Sequence, residues 1–123
     1  MKKIILIFFS IFAFANSIEI NNFETDLYSK SNGLKKITLS LKIIGDNVNN
    51  ENYYIQDSIN MVISSYYYED LFTELGKENL KKTIIKYAGK KYSVNIDDIL
   101  IINLKSKDSA EAIKEILKDA NLI

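Results

Sequence analysis

The stretch KITLSLKI, residues 36–43, alternates polar and apolar side chains at every position. Its apolar members are Ile37, Leu39, Leu41 and Ile43. Because successive side chains of a β-strand point to opposite faces, this pattern is typical of a strand with one buried face and one wet face. The stretch therefore predicts a sheet that is covered on a single side.

The segments around this strand predict the other elements. Residues 18–28 predict a first strand, with its phase broken at Asn21-Asn22, and the polar sequence SKSNG (29–33) predicts a turn. The sequence GDNVNNEN (45–52) predicts a flexible, asparagine-rich loop. Apolar residues at helical spacing then predict a helix over about residues 53–65.

The second half of the chain contains further periodic segments. A short helical turn near Leu71 and a helix over about residues 77–88 are predicted, with Gly76 and Gly89 as helix breaks. The run Ile99 to Ile102 is apolar on both faces, which predicts a buried central strand over residues 96–104. Residues 108–120 predict a last amphipathic helix with Asp108 as its N-cap.

This order of elements predicts the fold class. Two strands, helices, a strand and a final helix favour an α+β domain, with a small antiparallel or mixed sheet of about 3–4 strands and the helices packed on one face. The chain has 123 residues, so it is expected to form a single domain.

The N-terminal segment predicts export. MKK is followed by the apolar run 4–15, which ends in small residues at Ala13 and Ala15, the pattern of a secretory signal peptide over residues 1–15. A helix of that length spans roughly 18 Å, which is short for a bilayer core of roughly 30 Å. We expect cleavage before Asn16, leaving a periplasmic domain over residues 16–123. The alternative is a short uncleaved anchor in the inner membrane that faces the periplasm.

Composition excludes several classes of function. The formal net charge is zero and the sequence pI is about 6.3, which does not favour nucleic-acid binding. The chain has no His and no Cys, the usual catalytic nucleophiles, bases and metal ligands. The acidic pairs Glu69-Asp70 and Asp97-Asp98 are expected to be a solvated helix start and strand start. No catalytic residue, cofactor or metal site is therefore predicted, and the protein is not expected to be an enzyme.

A set of short motifs carries a family resemblance. The motifs are IQDSI (55–59), SS and YEDL (64–65 and 68–71), GKE (76–78), Leu80 and IDDILII (96–102). In these residues the chain, from about Phe23 to Leu104, resembles the FliL family of flagellar basal-body-associated proteins. The matching positions are Ile55, Asp57, Ile59, Tyr68, Glu69, Asp70, Leu71, Gly76, Lys77 and Leu80.

The resemblance implies a fold, a location and partners. It implies a stomatin-like periplasmic domain and a non-enzymatic structural role in the flagellar motor, supporting the stator or a periplasmic motor ring. The implied partners are further copies of itself, in a homo-oligomer or ring, and the periplasmic region of the stator or another disk or ring protein. Membrane contact is expected only if the N-terminal segment is not cleaved. The alternative function is a periplasmic ligand-binding or envelope-maintenance module that shares the fold.

Three consecutive tyrosines, 66–68, lie inside the resemblance. Tyr68 matches the family tyrosine and is expected to pack in the fold. Tyr66 and Tyr67 stand where the family commonly has a polar pair, and tyrosine is enriched at interfaces. We interpret Tyr67 as a contact residue. Tyr66 has two readings, as a second contact residue or as a core residue of a helix that continues from Ile63.

Overall fold

A computed structural model describes residues 16–107 and 117–121. Its elements are β1 (Ser17–Tyr28), β2 (Leu34–Ile44), α1 (Asn52–Ile63), α2 (Tyr68–Leu71), α3 (Glu74–Tyr92) and β3 (Asp98–Lys107), with a 3-10 turn (Val48–Asn50) before α1. The predicted signal peptide, residues 1–15, lies outside the described residues. So do residues 108–116 of the predicted helix over 108–120; of the rest, residues 117–119 are helical and Ala120 is in a turn.

The strands form an antiparallel sheet in the order β1-β2-β3. Every apolar position of the alternating stretch in β2 is at most 1% exposed, whereas Thr38 and Lys42 on the other face are partly exposed. The apolar faces of the helices close the same core, with Ile55, Leu71 and Leu80 fully buried. The α+β class and the sheet with one covered face are thus confirmed.

The first strand is also confirmed, including its break. The pairing of β1 with β2 shifts between Ile20 and Phe23, and Asn22 adopts a positive φ of 55°. This bulge returns Phe23 to the core face after two asparagines. The Asn22 N–H donates to the Ser40 hydroxyl at 3.0 Å, which satisfies Ser40 where it is buried.

The prediction that β3 is a buried central strand is wrong. Among the described residues β3 pairs only with β2, so β2 is the central strand. Ile99 is fully buried, but Leu100 is 39% and Ile102 is 62% exposed. An apolar run cannot by itself distinguish two buried faces from one, because only the rest of the sheet determines what covers each face.

The predicted breaks at Gly76 and Gly89 are wrong as well. Helix α3 begins at Glu74 and continues through both glycines to Tyr92. The Thr73 hydroxyl caps it by accepting the Gly76 N–H at 2.9 Å. The turn out of the helix is made by Ser93, which has a φ of 57°. Beyond Gly89, Tyr92 contacts Asp57 and Tyr54 of α1, and the sequence does not reveal these contacts.

The loop after β2 contacts the fold at two of its residues, while its flexibility stays a prediction. Val48 is fully buried, and Gly45 lies so close to the β3 side that a Cβ there would be 2.4 Å from the Asn95 carbonyl oxygen. The loop is therefore anchored at both of these residues. In the part of the chain that the structure describes, no helix is long and apolar enough to cross a membrane.

Candidate interaction surface at the tyrosine segment

The acidic pair of the YEDL motif binds the turn between β1 and β2. Glu69 accepts hydrogen bonds from the Ser29 hydroxyl at 2.5 Å and from the Lys30 N–H at 2.8 Å. The Lys30 ammonium lies 2.8 Å from the Asp70 carboxylate. We call these four residues the clasp. The pair lies at the start of a helix and is partly exposed, as expected, and its contacts with the turn are an addition that the sequence did not predict.

The clasp favours the charged forms of Glu69 and Lys30. The Lys30 N–H and then the Ser29 hydroxyl lower the pKa of Glu69, because both hydrogen bonds stabilise the carboxylate. The hydrogen bond with Asp70 raises the pKa of Lys30. The ion pair itself is about half exposed, so its direct contribution to stability is small. The ion pair instead holds the β1–β2 turn in position against α2.

Tyr67 lies at the surface beside the clasp. Its ring is 50% exposed, and the Lys30 ammonium lies 5.7 Å from the ring centroid. Its backbone is extended at the N-cap of α2, and its side chain makes no capping hydrogen bond. Because half of the residue is exposed and its hydroxyl is not used for capping, Tyr67 can contact a partner.

Tyr66 is intermediate between the two readings. Its ring packs against the core, and its hydroxyl lies 3.4 Å from the Thr83 hydroxyl of α3. It does not continue α1, which ends at Ile63. The hydroxyl of Ser65 donates to the Val62 carbonyl at 2.7 Å and closes that end of the helix. Tyr66 is therefore partly buried: its ring packs in the fold, and its hydroxyl lies at the surface.

Tyr68 is less exposed than Tyr67. It is partly buried against the core, and its ring centroid lies 5.0 Å from that of Phe72. The Lys35 ammonium lies 5.3 Å from the centroid of the Tyr68 ring. The three consecutive tyrosines thus differ because the chain is extended at Tyr67 and enters a helix at Tyr68.

A groove of about 330 Å³ runs beside the exposed ring. It is lined by Tyr28, Ser29, Ser64, Ser65, Tyr66 and Tyr67. Tyr28, at the end of β1, is 67% exposed. We call Tyr28, Tyr66 and Tyr67 the tyrosine surface. Sequence reasoning missed Tyr28 and the clasp partners, since these residues are about 40 positions from the tyrosine segment and no local pattern connects them.

The remaining motif positions serve the fold. Ile55, Ile59, Leu71 and Leu80 are fully buried. A Cβ at Gly76 would lie 1.8 Å from the Asp70 carbonyl oxygen, so only glycine allows α3 to approach α2 this closely. Lys77 is partly exposed on α3.

Asp57 connects α1 to the end of α3. It accepts a hydrogen bond from the Tyr92 hydroxyl at 2.5 Å, and the Tyr92 ring stacks on Tyr54 at a centroid distance of 4.4 Å. The hydrogen bond to the Asp57 carboxylate raises the pKa of Tyr92 to about 12. Among residues 16–107 and 117–121, no cluster of acidic side chains is placed to hold a metal ion.

A family model described as flagellar basal body-associated protein FliL matches residues 18–105, which is well over half of the chain. The match covers all three strands up to Lys105 and all three helices from α1 to α3. No curated protein matches the sequence. The chain therefore belongs to the FliL family of proteins associated with the flagellar basal body.

Proposed function

We propose that this chain is a non-enzymatic interaction protein of the flagellar motor, which works in the periplasm and binds its partner through the tyrosine surface. The observation that carries the proposal is the half-exposed ring of Tyr67, held beside the clasp. Family membership supports the basal-body location. The apolar run that ends at Ala15 supports export with cleavage before Asn16.

The tyrosine surface has the properties of a preformed contact site. Tyrosine offers a large ring and a hydroxyl at a low entropy cost, and aromatic residues are enriched at interfaces. The clasp fixes the turn that follows Tyr28 against the helix that follows Tyr67. A partner therefore does not have to order these two segments itself, which reduces the cost of binding.

The partner would be a motor component or a further copy of this chain. We propose the periplasmic region of the stator, or another disk or ring protein, as the first partner class. Self-assembly into a ring would require a heterologous interface whose rotation closes. In either arrangement the protein supports the stator or a periplasmic ring and performs no chemistry.

Deletion and complementation test this role. A deletion strain is expected to assemble flagella and to swim poorly, with a larger defect in viscous medium. The gene with Tyr67→Ser should fail to restore swimming, whereas Tyr53→Ser should restore it, because Tyr53 is 86% exposed but lies on α1, away from the tyrosine surface. Wild-type speed of the deletion strain under load would exclude the motor role. Full rescue by Tyr67→Ser would exclude this surface.

Intact-mass measurement of the native protein tests the export step. A mass that begins at Asn16, found in the soluble periplasmic fraction, is the expected result. A mass that includes residues 1–15, found in the membrane fraction, would show that the N-terminal segment is an uncleaved anchor.

A ligand-binding or envelope-maintenance role is the second candidate. The feature that favours it is a groove of about 440 Å³ on α3, lined by Thr83, Lys86, Tyr87, Lys90 and Lys91. Three lysines around one tyrosine would suit an anionic ligand. Thermal stabilisation by small anionic compounds, lost in Lys86→Gln, combined with normal swimming of the deletion strain, would favour this function over the first.

A further inference from the structure

Strand β3 presents a free edge with exposed apolar side chains. Within residues 16–107 and 117–121 it has a neighbour only on its β2 side, so its other row of backbone groups is unpaired by any strand there. Leu100 is 39% and Ile102 is 62% exposed along this edge. Such an edge is a template for pairing with another strand.

The two edges of the sheet differ in charge. The charged residues of β1 are all acidic, namely Glu19, Glu24 and Asp26. Two β1 edges would therefore repel each other, and the β1 edge is also interrupted by its bulge at Asn21-Asn22. Strand β3 instead begins with Asp98, ends with Lys105 and Lys107, and is uncharged from Ile99 to Leu104.

We propose that the β3 edge binds the β3 edge of a second copy of this chain, in antiparallel orientation, to form a two-fold symmetric dimer with a continuous six-stranded sheet. An acidic start and a basic end make the strand complementary to itself when it is reversed. The uncharged centre then pairs with its own counterpart. This pairing is isologous, because both copies use the same surface.

One register pairs the whole uncharged run with itself. It places Asp98 opposite Lys105, Ile99 opposite Leu104 and Leu100 opposite Asn103 of the second copy. The bulge at Ile102 makes this possible, because it moves the wet face of β3 from even to odd positions, so Asp98 and Lys105 lie on one face. Opposite residues on adjacent antiparallel strands have Cβ atoms about 4.5–5.5 Å apart.

The charged ends are available for this pairing. Asp98 and Lys105 are both exposed. One carboxylate oxygen of Asp98 accepts the Ile99 N–H at 2.8 Å, which leaves the second oxygen for a lysine of the other copy. Symmetry produces the ion pair twice. Hydrogen bonding is interrupted at Ile102 itself, so the ladder forms on the two sides of the bulge.

The helical side of the edge also fits a second copy. A groove of about 630 Å³ separates α3 from β3, and Leu75 and Ile101 are its apolar members. Leu75 is 72% exposed. The two-fold axis lies next to Ile101 and perpendicular to the sheet, so both helical layers fall on the same side. Dimerisation would bring these apolar residues of the two copies together.

The rim of that groove is mixed in charge. It carries Glu74, Lys77, Glu78 and Lys81, of which Glu78 and Lys81 form an ion pair at 3.6 Å. Two acids and two lysines give no net charge, so this rim does not oppose the approach of an identical rim. The β3 edge is separate from the tyrosine surface, so this dimer can form whether or not the protein has the proposed function.

Sedimentation of the chain from Asn16 to Ile123, which contains every residue of the described fold, tests the proposal. We expect a reversible dimer. Asp98→Lys and Lys105→Asp should each weaken it by about tenfold or more, since two symmetry-related pairs change from attraction to repulsion together. The double variant D98K/K105D should restore the dimer. Glu24→Lys on the β1 edge is the matched control and should leave the dimer constant unchanged.

Cysteine cross-linking tests the register in the full chain. The sequence contains no cysteine, so introduced thiols are the only ones present. L100C/N103C, expressed in the natural compartment, should give a disulfide-linked dimer, whereas Glu24→Cys should not. Circular dichroism of each variant would verify that it folds.

The proposal is overturned if the chain stays monomeric at the highest soluble concentration. It is also overturned if the double charge swap remains as weak as the single variants. A cross-link to a different protein in place of a second copy would assign the β3 edge to another partner and overturn it too. Loss of swimming with an intact dimer would concern the tyrosine surface and leave the dimer standing.

Discussion

The two glycines of α3 should respond in opposite directions to the same substitution. Gly76 and Gly89 each precede a lysine in one helix. At Gly89 an added Cβ would have the Val94 carbonyl oxygen as its nearest neighbour, at 3.8 Å, which is ordinary contact. Gly89→Ala should therefore stabilise the domain by about 0.5–1 kcal/mol, the usual helical preference for alanine.

At Gly76 the same methyl group has no space. Its Cβ would lie 1.8 Å from the Asp70 carbonyl oxygen and 2.9 Å from the Thr73 hydroxyl, so α3 must move away from α2 or lose its cap. Overpacking of this kind costs about 1–3 kcal/mol. The obstructing oxygen belongs to the backbone, so the cost is expected in the upper half of that range, about 2–3 kcal/mol. After the alanine preference of about 0.5–1 kcal/mol is subtracted, Gly76→Ala should destabilise the domain by about 1–2.5 kcal/mol.

Urea unfolding followed by circular dichroism measures both changes on the chain from Asn16 to Ile123. The slope of the unfolding free energy against urea concentration should be the same in the parent, Gly76→Ala and Gly89→Ala. Differences in urea midpoint then report differences in stability. A Gly76→Ala variant as stable as the parent would refute the close approach of α3 to α2. Equal losses at both positions would refute the distinction between them.

Three further predictions concern side chains with defined contacts. Tyr68→Ala should lower the free energy of unfolding by about 2–3 kcal/mol because its ring packs on the core. Tyr67→Ser should change that free energy by at most about 0.5 kcal/mol. Urea midpoints measure both changes, and a larger loss in Tyr67→Ser than in Tyr68→Ala would show that Tyr67, not Tyr68, is the core residue. The raised pKa of Tyr92 means that its hydrogen bond stabilises the fold fully below pH 10.0, the ordinary value, and that this contribution disappears as pH rises towards about 12. The gap in urea midpoint between the parent and Tyr92→Phe should therefore shrink above pH 10.0, and a constant gap would show that Asp57 does not hold the hydroxyl. Glu69 has a lowered pKa, so its contribution is present above its ordinary value of 4.5 and is lost as pH falls below it. Acid titration should consequently narrow the difference between the parent and Glu69→Gln, and a difference that persists at the lowest pH would refute the charged clasp.

Features that depend on local periodicity could be predicted from the amino-acid sequence. Alternation in residues 36–43 predicted a strand with one covered face, and helical spacing predicted α1 and the greater part of α3. The buried motif residues Ile59 and Leu80 follow from the same periods. These patterns work because the side chains of a strand or helix reach the core at fixed intervals along the chain. Ile59 and Leu80 are also among the residues that carry the FliL resemblance.

Features that depend on contacts between distant residues could be seen only in the folded chain. Ser29 and Glu69 are 40 positions apart, and nothing in either segment indicates that they form a clasp. The edge position of β3 depends on which strands stand beside it, so an apolar run that resembles a central strand lies half exposed at the border of the sheet. Gly76 looks like a helix break until α2 is placed against it. In each case the deciding interaction joins segments whose distance in space is set by the packing of the whole core, and local sequence does not record that distance.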